Sequence, residues 1–176
     1  TGRAPRYMAS ARDRALPPEV ARETKHRILD TIAAMVSGAR LKPGEAAIRF
    51  ARAQGGISEA TVLTTAIRTS VVNAALVNGM LMHGLDYDDP HAAGVIHLSV
   101  STFPAALAAA AQAGASGAEL LVAYIVGVEA GARIASVAEG GFHEAGFHPT
   151  GVVGAFAATL VAGRLIRLSR ERLVGA

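Results

Sequence analysis

No Asp, Glu, Lys or Arg occurs between Asp89 and Glu119. This uncharged stretch limits the fold more than any other feature, because it must lie either in lipid or in a protein core. A lipid span needs about 20 mainly apolar residues. Here Pro90, His91, Gly94, His97, Pro104, Gln112 and Gly114 interrupt the run. The later apolar stretches are broken by Glu129, Arg133 and Arg164. Buried helices of a soluble domain are therefore expected, with no membrane partner.

Composition says how that core is built. Of 176 residues 38 are Ala, and only 5% are aromatic. Ala has the highest helix propensity and a small side chain, so closely packed helices follow. The length suits one domain. With no Cys, disulfide scaffolds, thiolate zinc sites and cysteine nucleophiles are excluded. Thr1 to Arg14 contains no apolar signal segment, and a cytoplasmic location is expected.

The net charge of +3 hides a pattern. Residues 1–52 carry eleven Lys or Arg against five Asp or Glu, residues 53–163 two against eight, and residues 164–176 four against one. The N-terminal arginines alternate with Asp13, Glu19, Glu23 and Asp30, as on a solvated helix face. A nucleic-acid binder needs a continuous basic stripe, so no nucleic-acid partner is expected.

Punctuation residues divide the chain into six or seven helices with little strand. Residues 1–15 are read as an N-terminal arm, and 16–176 as one all-α domain. Leu16-Pro17-Pro18-Glu19 opens the first long helix, with Pro in its first turn. Its apolar side is read as Val20, Ile28, Ile32 and Met35, joined by Leu29 and Val36, and Ser37-Gly38 ends it. Pro43-Gly44-Glu45 opens a second helix, stopped at Gly55-Gly56. Ile57 to Leu63 is β-compatible. A long apolar helix is expected over 66–85, then a polar loop from Asp86 to His97. Ser99 or Ser101 starts the next helix, closed by Gly114. Ser116 and Glu119 form a capping box for a helix running to about Ala138. Gly140 to Thr150 is a second polar loop, and Gly151 to Ile166 another helix. Gly127, Ala130, Gly131 and Ala135, with Gly151, Gly154, Ala155 and Ala158, would let helices approach closely. Ser169 caps a last helix. A helix opening so near the end is uncommon, so the sequence is expected to be the front part of a longer protein.

Two polar clusters could carry chemistry. The first is His83-Gly84-Leu85-Asp86-Tyr87-Asp88-Asp89-Pro90-His91, followed by His97. Carboxylates this close raise one another's pKa and need a proton, a cation or hydrogen bonds in compensation. One alternative is a solvated loop whose Asp residues cap helices. Another is a metal site of Asp86, Asp88, Asp89, His91 and His97, since carboxylate and imidazole suit several divalent ions. The second cluster is Gly141-Phe142-His143-Glu144-Ala145-Gly146-Phe147-His148-Pro149-Thr150-Gly151. His148 precedes a helix start, where free N–H groups at Gly151 and beyond could hold an anionic oxygen, unless Pro149 and Thr150 merely begin the helix. No phosphate loop, dinucleotide fingerprint, G-x-S-x-G or H-E-x-x-H is present.

The run Val72-Asn73-Ala74-Ala75-Leu76-Val77-Asn78-Gly79, then His83-Gly84-Leu85-Asp86-Tyr87-Asp88-Asp89 and His97, resembles the MmgE/PrpD family. Gly146-Phe147-His148-Pro149-Thr150-Gly151 with Gly154 is a second, well-separated match. Leu16-Pro17, Asp30 and the segment Gly56 to Leu63 fit its opening portion. The family includes 2-methylcitrate dehydratase, cis-aconitate decarboxylase and iminodisuccinate epimerase. Its members pair a large all-helical domain with a smaller α/β lid.

The resemblance implies a compact, incomplete multi-helix domain whose lid is absent from this chain. It implies a homodimeric lyase or isomerase using no metal or organic cofactor, with a small di- or tricarboxylate as substrate. Asp86, His97 and His148 would be catalytic. His91 and Thr150 would bind substrate. The family motif usually reads Asp-Asp-Thr-His, but Pro90 stands here where the Thr would be. Family members are more than twice this length, and their remaining catalytic Lys and Tyr lie beyond residue 176. Two other readings stay open: a catalytically silent helical oligomerisation module, and an all-α metal-dependent hydrolase using the Asp/His loop.

Overall fold

The computed structural model describes residues 16–176, and the arm assigned to residues 1–15 lies outside them. Among the described residues are eight helices: α1 Pro18–Gly38, α2 Lys42–Gln54, α3 Val71–Met82, α4 Ser99–Ala113, α5 Gly117–Ala135, α6 Gly141–Glu144, α7 Pro149–Leu165 and α8 Arg170–Gly175. Two antiparallel hairpins interrupt them. β1 Ala60–Thr61 pairs with β2 Arg68–Thr69, and β3 Pro90–His91 with β4 Ile96–His97. A 3-10 turn, His83–Leu85, follows α3. The expected all-α class holds, and no helix among the described residues is long and apolar enough to cross a membrane.

The uncharged stretch becomes the centre of the molecule. Helix α4 buries Ser99, Thr102, Phe103, Pro104, Ala106 and Ala108 to Ala110. It packs against α3, α5 and α7. Met35, Val77, Leu81, Phe103, Tyr124 and Val161 form the main core, with Phe103 and Tyr124 edge to face at 5.8 Å. Small residues set the spacing. A Cβ on Gly127 would come 2.2 Å from Val161 Cγ2, and one on Gly131 2.5 Å from Leu98 Cδ2. On α7 the expected stripe is only partly right. Gly154, Ala157 and Val161 are buried there, while Gly151 and Ala155 face outward.

Several boundaries move for identifiable reasons. The helix expected over 66–85 starts at Val71, because Ser70 caps it by accepting from the Asn73 N–H at 3.3 Å. The residues before it form the 60–69 hairpin. Arg68 ties that hairpin to the Ser58 hydroxyl, the Ser58 and Glu59 carbonyls and the Thr61 hydroxyl. Buried Asn78 clamps it to α3, accepting from the Leu63 N–H at 2.9 Å and donating to the Thr61 carbonyl at 3.0 Å. The capping box at Ser116 and Glu119 forms as expected, but its helix ends at Ala135. Ser169 caps α8.

The buried face of α1 differs from the apolar one. Thr24, Thr31, Ala34, Met35 and Gly38 are buried, while Leu29, Ile32 and Val36 are exposed. Each Thr returns its hydroxyl hydrogen to a carbonyl one turn back, Val20 for Thr24 and Arg27 for Thr31. A satisfied hydroxyl packs like an apolar group. Gly38 is needed for contact, since a Cβ there would fall 1.7 Å from the Leu81 carbonyl oxygen. That crossing seats α1 against the end of α3, where the polar segment begins.

Candidate active site

The segment from His83 to His97 folds back on itself. Asp86 ends the 3-10 turn in the left-handed region at φ 56°, a conformation that Asp tolerates better than most residues. The chain then enters the β3–β4 hairpin, whose register sets Pro90 opposite His97. Pro90 fits the first position of a short strand, where no ladder N–H is required.

Two imidazoles and two carboxylates meet there. His83 Nδ1 lies 2.8 Å from Asp88 Oδ1 and donates to it. His97 Nδ1 lies 2.7 Å from the Asp88 backbone carbonyl. A carbonyl only accepts, so His97 carries a hydrogen on Nδ1 and Nε2 is its reactive nitrogen. His83 Nε2 and His97 Nε2 lie 3.4 and 3.6 Å from the same oxygen, Asp86 Oδ1. The rings stand edge to face with centroids 5.2 Å apart.

The carboxylates differ sharply in exposure. The Asp86 side chain is 75% exposed and that of Asp88 only 1%. Asp88 Oδ2 is buried without a hydrogen-bond partner among the described residues. Isolating a carboxylate from water is costly unless a cation or donors face it, and His83 Nδ1 supplies a donor at Oδ1. On the open side, both Nε2 atoms face one carboxylate oxygen. Lone pairs alone would repel it, so a proton or cation belongs among the three atoms. Ligand atoms of His83, Asp86, Asp88 and His97 all lie within 4.8 Å of one another. The metal reading from sequence therefore changes membership: His83 replaces Asp89 and His91.

Asp89 faces the other way. Its carboxylate accepts from the Ser99 N–H at 3.1 Å and the Ser99 hydroxyl at 2.7 Å, and Arg27 lies 3.8 Å away. Ser99 also bonds to the Tyr124 hydroxyl. Burial pushes the Asp89 carboxyl above the usual aspartate range, with the Ser99 bonds and Arg27 pulling it back. Burial likewise raises the Tyr124 phenol to about 12. Helix capping thus describes Asp89 but not Asp86 or Asp88. Arg27 is also an N-terminal cation folded over the acidic middle of the chain.

His91 stands apart from the imidazole pair. Its Nδ1 accepts from the Gly94 N–H at 3.0 Å, and it lines a shallow cavity of about 460 Å³ with Glu129, Ala132, Arg133 and Ser136. Thr150 is buried, and its hydroxyl oxygen accepts from the His97 N–H at 3.1 Å. The second motif is thereby fastened to the first. His148, the exposed N-cap of α7, stands two residues from that contact. Its own carbonyl accepts from the Gly151 and Val152 N–H groups at 3.1 and 3.2 Å. The free Gly151 donor expected from sequence is therefore already occupied. Both cations of the acidic middle segment are also engaged, Arg68 by its hairpin and Arg133 by Glu129.

The fold agrees with the sequence comparison. The MmgE/PrpD N-terminal domain matches residues 4–176. The chain belongs to the MmgE/PrpD family. A similar protein is the cis-aconitate decarboxylase-like protein oryM of Aspergillus oryzae, 28% identical over 164 residues. The alignment covers 89% of this chain but 34% of that relative, so the chain spans about a third of its length. Within the family frame, the residue that sequence reasoning left without a role is His83. Its spacing of three from Asp86 in the first motif was the available signal.

Proposed function

We propose that this chain carries the acid–base half of a cofactor-independent lyase or isomerase acting on a small di- or tricarboxylate. The carrying observation is His97, whose Nδ1 is held by the Asp88 carbonyl and whose Nε2 faces Asp86. A nitrogen so oriented exchanges a proton with the carbon next to a substrate carboxylate, and such groups contribute about 10²–10⁴-fold to rate. Asp86 orients that nitrogen or takes the proton in turn. His148 serves as the second acid, base or carboxylate binder from the α7 side. His91 and Thr150 border this region, and Thr150 also fixes the His97 backbone. The decarboxylase-like relative and family membership support this class of chemistry.

Substrate carboxylates want Arg or Lys partners, and Arg68 and Arg133 are engaged elsewhere. The cations would come from the N-terminal arginines, of which Arg27 reaches Asp89, from a second copy in a homodimer, or from sequence outside residues 16–176. The test uses the whole protein as its gene encodes it, with a panel of small di- and tricarboxylates followed by NMR. His148→Ala should abolish turnover with unchanged circular dichroism. Wild-type-like turnover of the folded variant would defeat the assignment.

A further inference from the structure

Asp86 is the exposed member of the site, and its carboxylate has a specific position only because something holds it. Among the described residues its side-chain contacts are the two Nε2 atoms of His83 and His97. The left-handed turn at Asp86, closed by its N–H on the His83 carbonyl at 3.2 Å, brings it over the rings but leaves the carboxylate free to swing into water. His83 is itself an anchored ring. It stands at the end of α3, and its Nδ1 is bonded at 2.8 Å to a carboxylate that is itself buried.

We propose that His83 is a positioning residue: with its Nδ1 pinned from below by Asp88 and a proton on its Nε2, it holds the Asp86 carboxylate beside His97 Nε2. This rests on reading His97 as the acid–base group. Asp88 acts twice, through its carboxylate on His83 and through its backbone carbonyl on His97. One buried residue thereby fixes which nitrogen of each ring points outward. Metal-free proteins and metalloproteins both use such outer hydrogen bonds to set ring orientation, so the test must separate them.

Two measurements do so. In the whole protein, the side-chain carboxyl ¹³C signal of Asp86 is followed by NMR in wild type and His83→Gln. His83→Gln alters the donor to buried Asp88, so His83→Gln/Asp88→Asn, which removes the buried charge together with the ring, is run beside it. The expected result is an Asp86 signal moved to that of a solvated aspartate in both. An unmoved signal overturns the proposal.

In the whole protein, His83→Gln and Asp86→Asn should lower kcat by similar factors with KM little changed. The double variant should be no slower than the slower single, because both remove one arrangement. Multiplying effects would overturn the proposal. So would a stoichiometric divalent cation that is retained by wild type and lost in His83→Gln, since the four residues would then be ligands. If turnover is indifferent to His97→Gln, the active-site reading fails instead, and the carboxyl signal still judges His83 separately.

Discussion

His97 donates its Nδ1 hydrogen to the backbone carbonyl of Asp88 at 2.7 Å, so its Nε2 is the nitrogen that meets Asp86. A backbone acceptor two residues past Asp86 thus sets which face of the ring is available. Because the acceptor is main chain, Asp88→Asn should leave the His97 tautomer unchanged while weakening the hold on His83.

Asp89 gives a pH dependence of defined sign. Its carboxyl is raised in the folded protein, so folding favours the protonated form. The stability it contributes is fully present below the unfolded value of 3.8 and is lost as pH rises through the raised folded value. Urea denaturation of wild type and Asp89→Asn should show the wild type's relative advantage greatest in acid and declining toward neutrality. An advantage that grows with pH would contradict the burial account.

Tyr124 moves at the other end of the scale. With the phenol raised from 10.0 to about 12, its contribution is whole below pH 10 and lost between 10 and about 12. Absorbance titration should show one tyrosine ionising near 12 or only on unfolding, and Tyr124→Phe should remove that step. The same substitution deletes one buried hydrogen bond to Ser99, which costs about 0.5–1.5 kcal/mol.

Two glycines separate packing from backbone conformation. Gly38 meets a backbone carbonyl that cannot turn aside, and Gly114 has φ 62° with open space around it. Gly114→Ala should cost about 1–2 kcal/mol through the left-handed turn alone. Gly38→Ala should cost more, at or above the upper end of the roughly 1–3 kcal/mol typical of overpacking. Equal urea midpoints for the two would show that α1 can part from α3.

Much of the fold was legible because caps and breakers act locally. Ser116 with Glu119, Ser169, Gly114 and the prolines at helix starts each satisfy or remove backbone groups regardless of what packs nearby. The inward face of α1 was not legible. Thr24 and Thr31 read as polar, and only the carbonyl one turn back makes them fit for burial. Ala60–Thr61 lies in the segment read as β-compatible, but the returning strand Arg68–Thr69 was missed, since Asn78 clamps the hairpin from a residue far along the chain. At the site, the motif singled out Asp86 and His97, and the fold sets them 3.6 Å apart. It could not show that Asp88 is buried, that Asp89 turns to Ser99, or that His83 rather than His91 shares the cluster. Those follow from a left-handed turn and a two-residue strand pairing, neither of which has a strong sequence signal.

The most direct test of the central claim is solvent isotope incorporation. Dehydration, decarboxylation and epimerisation by this route all pass a proton between His97 and carbon. In D₂O, decarboxylation or epimerisation by the whole protein should place deuterium on the carbon next to a carboxylate, and a dehydratase should do so in the reverse, hydration direction, read by ¹H NMR. His97→Gln should reduce that incorporation by about 10²-fold or more with the fold intact. Incorporation at the wild-type rate in folded His97→Gln would contradict the account.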